Sequence, residues 1–331
     1  MKTLFKTDEQ YNLSPLRYPW SFEMYKAARK NFWNPEQIKM GQDVAQFASL
    51  TDSERQMFLD VFATLTTADL AIQENLASRI YDILTPPEIR LFLSHQMADE
   101  SLHSYSYQHI IECLALDDAS IYQRYQQRPY ILQKFKFGNE YAQKILSDDP
   151  IERITGLAFF YLGWEGIWFY HGFSPILRLG QMGKMTGTAE QLLYIARDEA
   201  THFQFGLRLI QELLDEHRAH AQAAEPIRQM FSRLTLAESD YAAHAIPELA
   251  GYNPRLHIEH TRYLVNLRLE QIGLQPLFPL HAAQPLPWLS EMLELRKEQN
   301  FFEGHVTEYQ SGSALDFGDP TPMEQLMEAW G

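Results

Sequence analysis

The chain has 331 residues, 45% of them hydrophobic and 13% aromatic, enough for one large core or two medium ones and too many for a disordered protein. A formal net charge of −15 excludes nucleic acid as the main partner, because phosphate binding relies on clustered Lys and Arg. The longest apolar stretches fall short of the roughly 18 residues a membrane span needs, and Met1–Gln10 lacks the apolar core of a secretory signal, so the expected compartment is the cytoplasm.

Helix signals follow in chain order. Thr51–Asp52–Ser53–Glu54 has capping-box spacing, in which the threonine hydroxyl and the glutamate three residues on each satisfy a free backbone amide, and it precedes a helical run Gln56–Ile83. Thr85–Pro86–Pro87–Glu88 closes that run and opens a second, with Thr85 expected as N-cap and Pro86 as the first helical residue. A shorter helix is expected over Tyr130–Leu146. Asp149–Pro150–Ile151–Glu152 repeats the device ahead of Arg153–Leu179, which Gly180 should stop. Thr188–Gln191 opens a fourth long segment that runs to about His217. Further helices are expected after Glu225–Pro226 and Asn253–Pro254, the latter ending at Gly273. The four long segments hold roughly 28–33 residues each, about 45 Å at 1.5 Å per residue. Strand signals are weak throughout. Gln275–Pro287 is a proline-rich connection, and beyond Tyr309 the chain turns acidic and rich in Ser, Gly and Pro. The expected fold is all-α, a four-helix bundle core with additional helices over residues 1–310 and a flexible C-terminal tail over 311–331.

Two E-x-x-H pairs, Glu100–Ser101–Leu102–His103 and Glu199–Ala200–Thr201–His202, fall on two different long helices. Residues i and i+3 share a helix face, so each pair can aim one carboxylate and one imidazole at a single point. With 12 histidines in the chain, about one such pair arises by chance. The other two long segments sharpen the signal, because each carries one acid in an apolar stretch: Asp69 after Thr66–Thr67–Ala68, and Glu165 after Phe159–Phe160–Tyr161–Leu162–Gly163–Trp164. A lone buried carboxylate is costly to ionise and needs a partner or a metal. Asp69, Glu100, Glu165 and Glu199 all lie roughly 10–17 residues into their helices, so one layer of a bundle can hold them. One acid from each of two helices and Glu-x-x-His from each of the other two is the layout of ferritin-like two-metal sites. Four carboxylates and two imidazoles favour iron or manganese over a thiolate zinc site. Tyr107 lies one turn past His103, about 40° round the same face, whereas Tyr105 is turned about 200° away. Tyr161, four residues before Glu165, is a second tyrosine facing the layer. Phe169, Phe173 and Ile195 would give the site a dry wall.

Together these residues resemble the small, radical-generating subunit of class I ribonucleotide reductase, from about Tyr18 to Gln310. The stretches that carry the resemblance are Arg17–Tyr18–Pro19–Trp20, Phe32–Trp33–Asn34–Pro35–Glu36, Glu100–Ser101–Leu102–His103–Ser104–Tyr105–Ser106–Tyr107, Ala196–Arg197–Asp198–Glu199–Ala200–Thr201–His202, and Asn300–Phe301–Phe302 with Val306–Thr307–Glu308–Tyr309–Gln310. The resemblance implies metal ligands at Asp69, Glu100, His103, Glu165, Glu199 and His202, and a radical tyrosine at Tyr107 rather than Tyr161. It implies O2 activation at two iron ions, with manganese or a mixed manganese/iron pair as the alternative. It places Trp33, Asp198 and His103 at the buried end of a radical-transfer path and Tyr309 in the tail that passes the oxidising equivalent to a large subunit. Phe169, Phe173 and Ile195 match the radical's hydrophobic pocket, and a homodimer is implied. Cys113, the single cysteine, cannot supply both a thiyl radical and a dithiol donor, so ribonucleotide reduction would occur on that large subunit. Leu326, Met327 and Trp330 read as tail anchors that order on docking, although this far end departs from the family's tails. The rival readings are a ferritin-like two-metal oxidase or monooxygenase acting on a bound organic substrate, and a metal-storage bundle.

Overall fold

The computed structural model describes residues 4–5, 11–280 and 283–293. Tyr309, the motif stretches from Asn300 onward, the tail anchors and the boundary at residue 310 lie outside them. The first helix, α1 (Pro19–Ala28), and the short α2 (Asp43–Ala48) precede the bundle. α3 (Asp52–Asn75) starts at the expected capping box, with both reciprocal hydrogen bonds formed by Thr51 and Glu54. It continues through a π-helical turn, Leu76–Ile80, into α4 (Tyr81–Ile83). α5 (Pro87–Cys113) begins one residue later than expected: Pro86 is its N-cap and makes no side-chain cap bond. Glu88 is turned away from that end, where it accepts the backbone N–H groups of Arg17 and Tyr18 and pins the entry to α1.

α6 (Asp118–Gln127) and α7 (Pro129–Lys144) follow, and then α8 (Pro150–Ala158), capped as expected by the Asp149 carboxylate on the Ile151 amide. Phe159–Trp168 is π-helical and leads into α9 (Phe169–Gln181). The stop is Gly183, at φ +74°, and not Gly180. A wider π turn shifts the side-chain phase, so faces counted at 3.6 residues per turn do not carry through this segment.

α10 (Thr186–Glu216) starts from Met185 in the left-handed region, and its cap comes from elsewhere in the chain. The buried Asp43 carboxylate of α2 accepts from the Gly187 and Thr188 amides at 2.8 and 2.7 Å and from the Thr188 hydroxyl at 2.6 Å. These are two of the amides that a helix start leaves without intrahelical partners. α11 (His220–Ala245) begins before Pro226, which lies inside it, and α12 (Pro254–Gln271) is capped by Asn253 and followed by Gly273 at φ +76°.

Helices α3, α5, α10 and the α8–π–α9 rod close a ring, each packed on its two neighbours. Its interior is aromatic and dry, with Phe58, Phe62, Phe92, Phe160, Phe169 and Phe173 all buried. Burying each such ring contributes about 1.5–3 kcal/mol. Among the described residues the extended pairings are two isolated bridges, and no helix is long and apolar enough to cross a membrane. The expected all-α bundle is the observed fold.

Candidate metal centre

All six sequence-predicted acids and histidines meet in one buried layer. α3 brings Asp69, α5 Glu100 and His103, the π-helical segment Glu165, and α10 Glu199 and His202, each no more than 1% exposed. They form two overlapping quartets, Asp69–Glu100–His103–Glu199 and Glu100–Glu165–Glu199–His202, each able to offer four ligand atoms within 4.8 Å of one another. Glu100 and Glu199 belong to both. His103 Nδ1 lies 3.1 Å from Glu199 Oε1, 3.5 Å from Glu100 Oε2 and 3.8 Å from Asp69 Oδ2. His202 Nδ1 lies 3.2 Å from Glu100 Oε1, 3.2 Å from Glu199 Oε2 and 3.9 Å from Glu165 Oε2. Both imidazoles therefore turn the same nitrogen inward.

Four buried carboxylates this close demand positive charge. Burial, and then the neighbouring Glu100, holds the Asp69 carboxyl well above the usual carboxylate range; burial and Glu199 do the same to Glu165. Burial would lower both histidines, but the carboxylates of Asp198, Glu100 and Glu199 close to His103 reverse this, and the Glu199 charge with the nearby Asp99 and Glu100 carboxylates reverses it for His202. Glu199 is held below the usual range despite burial, by its hydrogen bond with Glu165 and the charge of His202.

Orphaned atoms show the same need. Both oxygens of Asp69 and of Glu100, Glu199 Oε1, Glu165 Oε2 and His103 Nδ1 are buried with no hydrogen-bond partner among the described residues. Left so, each would be costly. The oxygen-rich set with two imidazoles fits two divalent cations of the iron and manganese type, one for each quartet, with Glu100 and Glu199 available to both.

Around this layer, Tyr107 is completely buried and its hydroxyl has no hydrogen-bond partner among the described residues. Burial, followed by the charge of Asp69, pushes its phenol well above its ordinary range. Phe62 meets it edge-on, ring centroids 6.1 Å apart at 80°. Phe62 precedes Asp69 by two turns on α3, a spacing that would have revealed it. Phe169, Phe173 and Ile195 are buried as expected, and the first two rings stack at 5.9 Å. Tyr105 points outward onto Glu36. Tyr161 is also buried, its hydroxyl 3.4 Å from Gln96 Oε1, while Gln96 Nε2 donates to Glu165 Oε1 at 2.9 Å. Gln96, one turn before Glu100, is a site residue that the sequence reading missed.

Trp33, stacked on Tyr194 at 5.2 Å, donates its indole N–H to Asp198 Oδ2 at 2.7 Å. The same oxygen lies 3.5 Å from His103 Nε2, so Trp33, Asp198 and His103 form one continuous chain. Cys113 is half-buried beside His109 and far in sequence from any ligand but those of α5.

The family profile of the ribonucleotide reductase small chain matches residues 10–285. The ribonucleoside-diphosphate reductase subunit beta of Chlamydia pneumoniae is 33% identical over 318 residues, covering 92% of this chain and 91% of its own. The ribonucleotide reductase R2 subunit from Clostridium botulinum superposes with a TM-score of 0.79 at 28% identity, over 88% of this chain and 98% of that one. An R2-like ligand-binding oxidase with an aerobically reconstituted Mn/Fe cofactor has a TM-score of 0.64 at 23% identity, over 76% of this chain and 93% of its own, a likeness of fold alone. With the profile spanning most of the bundle and the relative matching nearly end to end, this chain belongs to the ribonucleotide reductase small-chain family.

Proposed function

We propose that the chain is the radical-generating subunit of ribonucleoside-diphosphate reductase, with Asp69, Glu100, His103, Glu165, Glu199 and His202 as ligands of two metal ions and Tyr107 as the residue that stores the oxidising equivalent. The observation that carries this reading is the pair of buried quartets sharing Glu100 and Glu199. When bound, the metal pair supplies electrons for the reduction of O2. Tyr107 would contribute one further electron to that reduction and lose its phenolic proton with it, leaving the neutral radical; Asp69 is the carboxylate whose charge acts most strongly on that hydroxyl. Phe62, Phe169, Phe173 and Ile195 keep water and reductants from the oxidised ring.

Iron is the proposed pair, with manganese or manganese/iron as the alternative, since the donor set suits both. The chain from His103 through Asp198 to Trp33 is supported as the path out by its contiguous contacts. Tyr309 continues it in the tail that docks on the large subunit, where the ribonucleotide is reduced. The small subunit acts as a homodimer in this reading.

The oxidase reading needs a substrate cavity that touches the ligands. A cavity of about 360 Å³ lies between α10 and α12, lined by residues such as Ala200, Phe203 and Arg268, but none of the six ligands lines it.

The test is aerobic reconstitution of the metal-free protein with ferrous iron, read by EPR and metal analysis. A tyrosyl radical signal that Tyr107→Phe abolishes at unchanged metal content is expected. Full metal loading without any radical would favour the oxidase. With the large subunit present, Tyr309→Phe should keep the radical and lose turnover; full turnover would refute the path.

A further inference from the structure

Each E-x-x-H pair is preceded by an aspartate, giving Asp99–Glu100–Ser101–Leu102–His103 on α5 and Asp198–Glu199–Ala200–Thr201–His202 on α10. The aspartates are used crosswise. Asp198 of α10 faces His103 of α5, and Asp99 of α5 faces His202 of α10, so the two halves of the layer exchange supporting carboxylates. The Asp99 contact is the closer of the two, with His202 Nε2 3.0 Å from Asp99 Oδ2 against 3.5 Å for His103 Nε2 and Asp198 Oδ2. The first is a full hydrogen bond and the second sits at its outer limit.

We propose that Asp99 is the positioning residue of one of the two metal positions, the one built on Glu165 and His202. A neutral imidazole carries one N–H and one lone pair. With the Nε2–H given to Asp99, the lone pair is left on Nδ1, which already faces Glu100 and Glu199 at 3.2 Å. The same hydrogen bond blocks the ring flip that would turn a carbon toward the carboxylates. Outer carboxylates of this kind fix the tautomer and aim of metal-binding histidines.

The two halves differ in what stands behind them. Asp198 is 3% exposed and also holds the Trp33 indole and the Arg197 guanidinium. Asp99 is 18% exposed at its side chain and faces His95, 22% exposed, with Nε2 at 3.7 Å from the same Oδ2. One position thus backs onto a buried tryptophan, while the other reaches the protein surface through a single aspartate. The two positions are inequivalent, and removing Asp99 should weaken only one.

The inference rests on the two-metal reading of the site. It is tested by titrating metal-free protein with Mn(II) under anaerobic conditions and following bound metal and the EPR signal, which distinguishes a lone ion from a spin-coupled pair. The parent should bind two ions per chain with a coupled signal. Asp99→Ala should lose about 10–100-fold in affinity at one position only, so that at intermediate Mn(II) one uncoupled ion per chain accumulates. Asp99→Asn, whose amide oxygen still accepts the Nε2–H, should restore the pair. Asp99→Ser, too short to reach His202, takes the place of the alanine variant if that variant does not fold. Two ions bound with parental affinity in Asp99→Ala, or equal weakening at both positions, overturns the proposal. A parent chain that binds fewer than two ions overturns the two-metal reading instead.

Discussion

Gly206 stands one turn beyond His202 on α10, with the Tyr161 ring laid across its Cα. A Cβ built there would lie 2.0 Å from Tyr161 Cγ and 2.2 Å from its Cβ and Cδ1, whereas unbonded carbons settle at about 3.5 Å or more. About 1.5 Å has to be absorbed. Tyr161 has nowhere to go, being fully buried with its hydroxyl against Gln96. Gly206→Ala should therefore cost about 3 kcal/mol, the upper end of ordinary overpacking, even though alanine gains about 1 kcal/mol over glycine in a helix interior. At about 2 cal/mol/K of unfolding entropy per residue, that lowers Tm by about 4 °C. Tyr161→Ala alone should cost about 3–5 kcal/mol through the cavity it leaves. In the double variant the clash is gone, so the two losses should fall short of their sum by about 3 kcal/mol. Thermal unfolding of the metal-free variants, followed by circular dichroism, reads both quantities. The close packing of Tyr161 on α10 would be refuted by additive losses, or by a Gly206→Ala variant whose Tm stays within about 1 °C of the parent.

The shared carboxylates make a second prediction. Glu199→Ala removes a ligand common to both quartets and should weaken both metal positions, whereas Glu165→Ala should spare the position at Asp69 and His103; Mn(II) stoichiometry that is normal in Glu199→Ala would sink the ligand assignment. A third concerns the buried ion pair beyond the site, where Lys134 Nζ lies 2.7 Å from Glu238 Oε2 and His257 Nε2 2.6 Å from Glu238 Oε1. Burial pushes the Glu238 carboxyl up, but the Lys134 charge and the His257 hydrogen bond override it and bring it down to about 2. A carboxylate with its folded value below its unfolded value of about 4.3 stabilises fully above that pH, and the contribution is lost as pH falls toward 2. Glu238→Gln should thus lower stability at pH 7 by about 3–5 kcal/mol for the stranded lysine, with a lower Tm, and flatten the acid limb of the Tm–pH curve. Curves that run parallel between pH 4.3 and 2 would contradict it.

Much of the site was legible because its signals are local. The capping box at Thr51–Glu54 and the Asp149 cap on the Ile151 amide act within a few residues, and both are formed. The E-x-x-H spacing fixes one helix face without reference to anything else, and mid-helix acids in apolar runs announce a buried cation. Those features, with the order of the matched motifs, determined the bundle, the six residues of the layer and the family. Two of the misread starts involve residues distant in sequence. Pro86 stands at the cap expected of Thr85, while Glu88 is committed to Arg17 and Tyr18, about 70 residues upstream in sequence. The cap of α10 is supplied by Asp43, across 144 residues.

What only the tertiary structure decided was which groups stand behind the ligands. The sequence placed Tyr161 and Glu165 by ordinary helical spacing, but the π-helical turn from Phe159 to Trp168 sets its own phase, and Tyr161 ends against Gly206 and Gln96. Phe62 against Tyr107, Gln96 on Glu165 and Asp99 on His202 all join different helices. A pattern within one helix sets the direction of a side chain, and it is the packing of the next helix that selects its partner. The sequence therefore named the residues of the layer, and the bundle assigned each of them its surroundings.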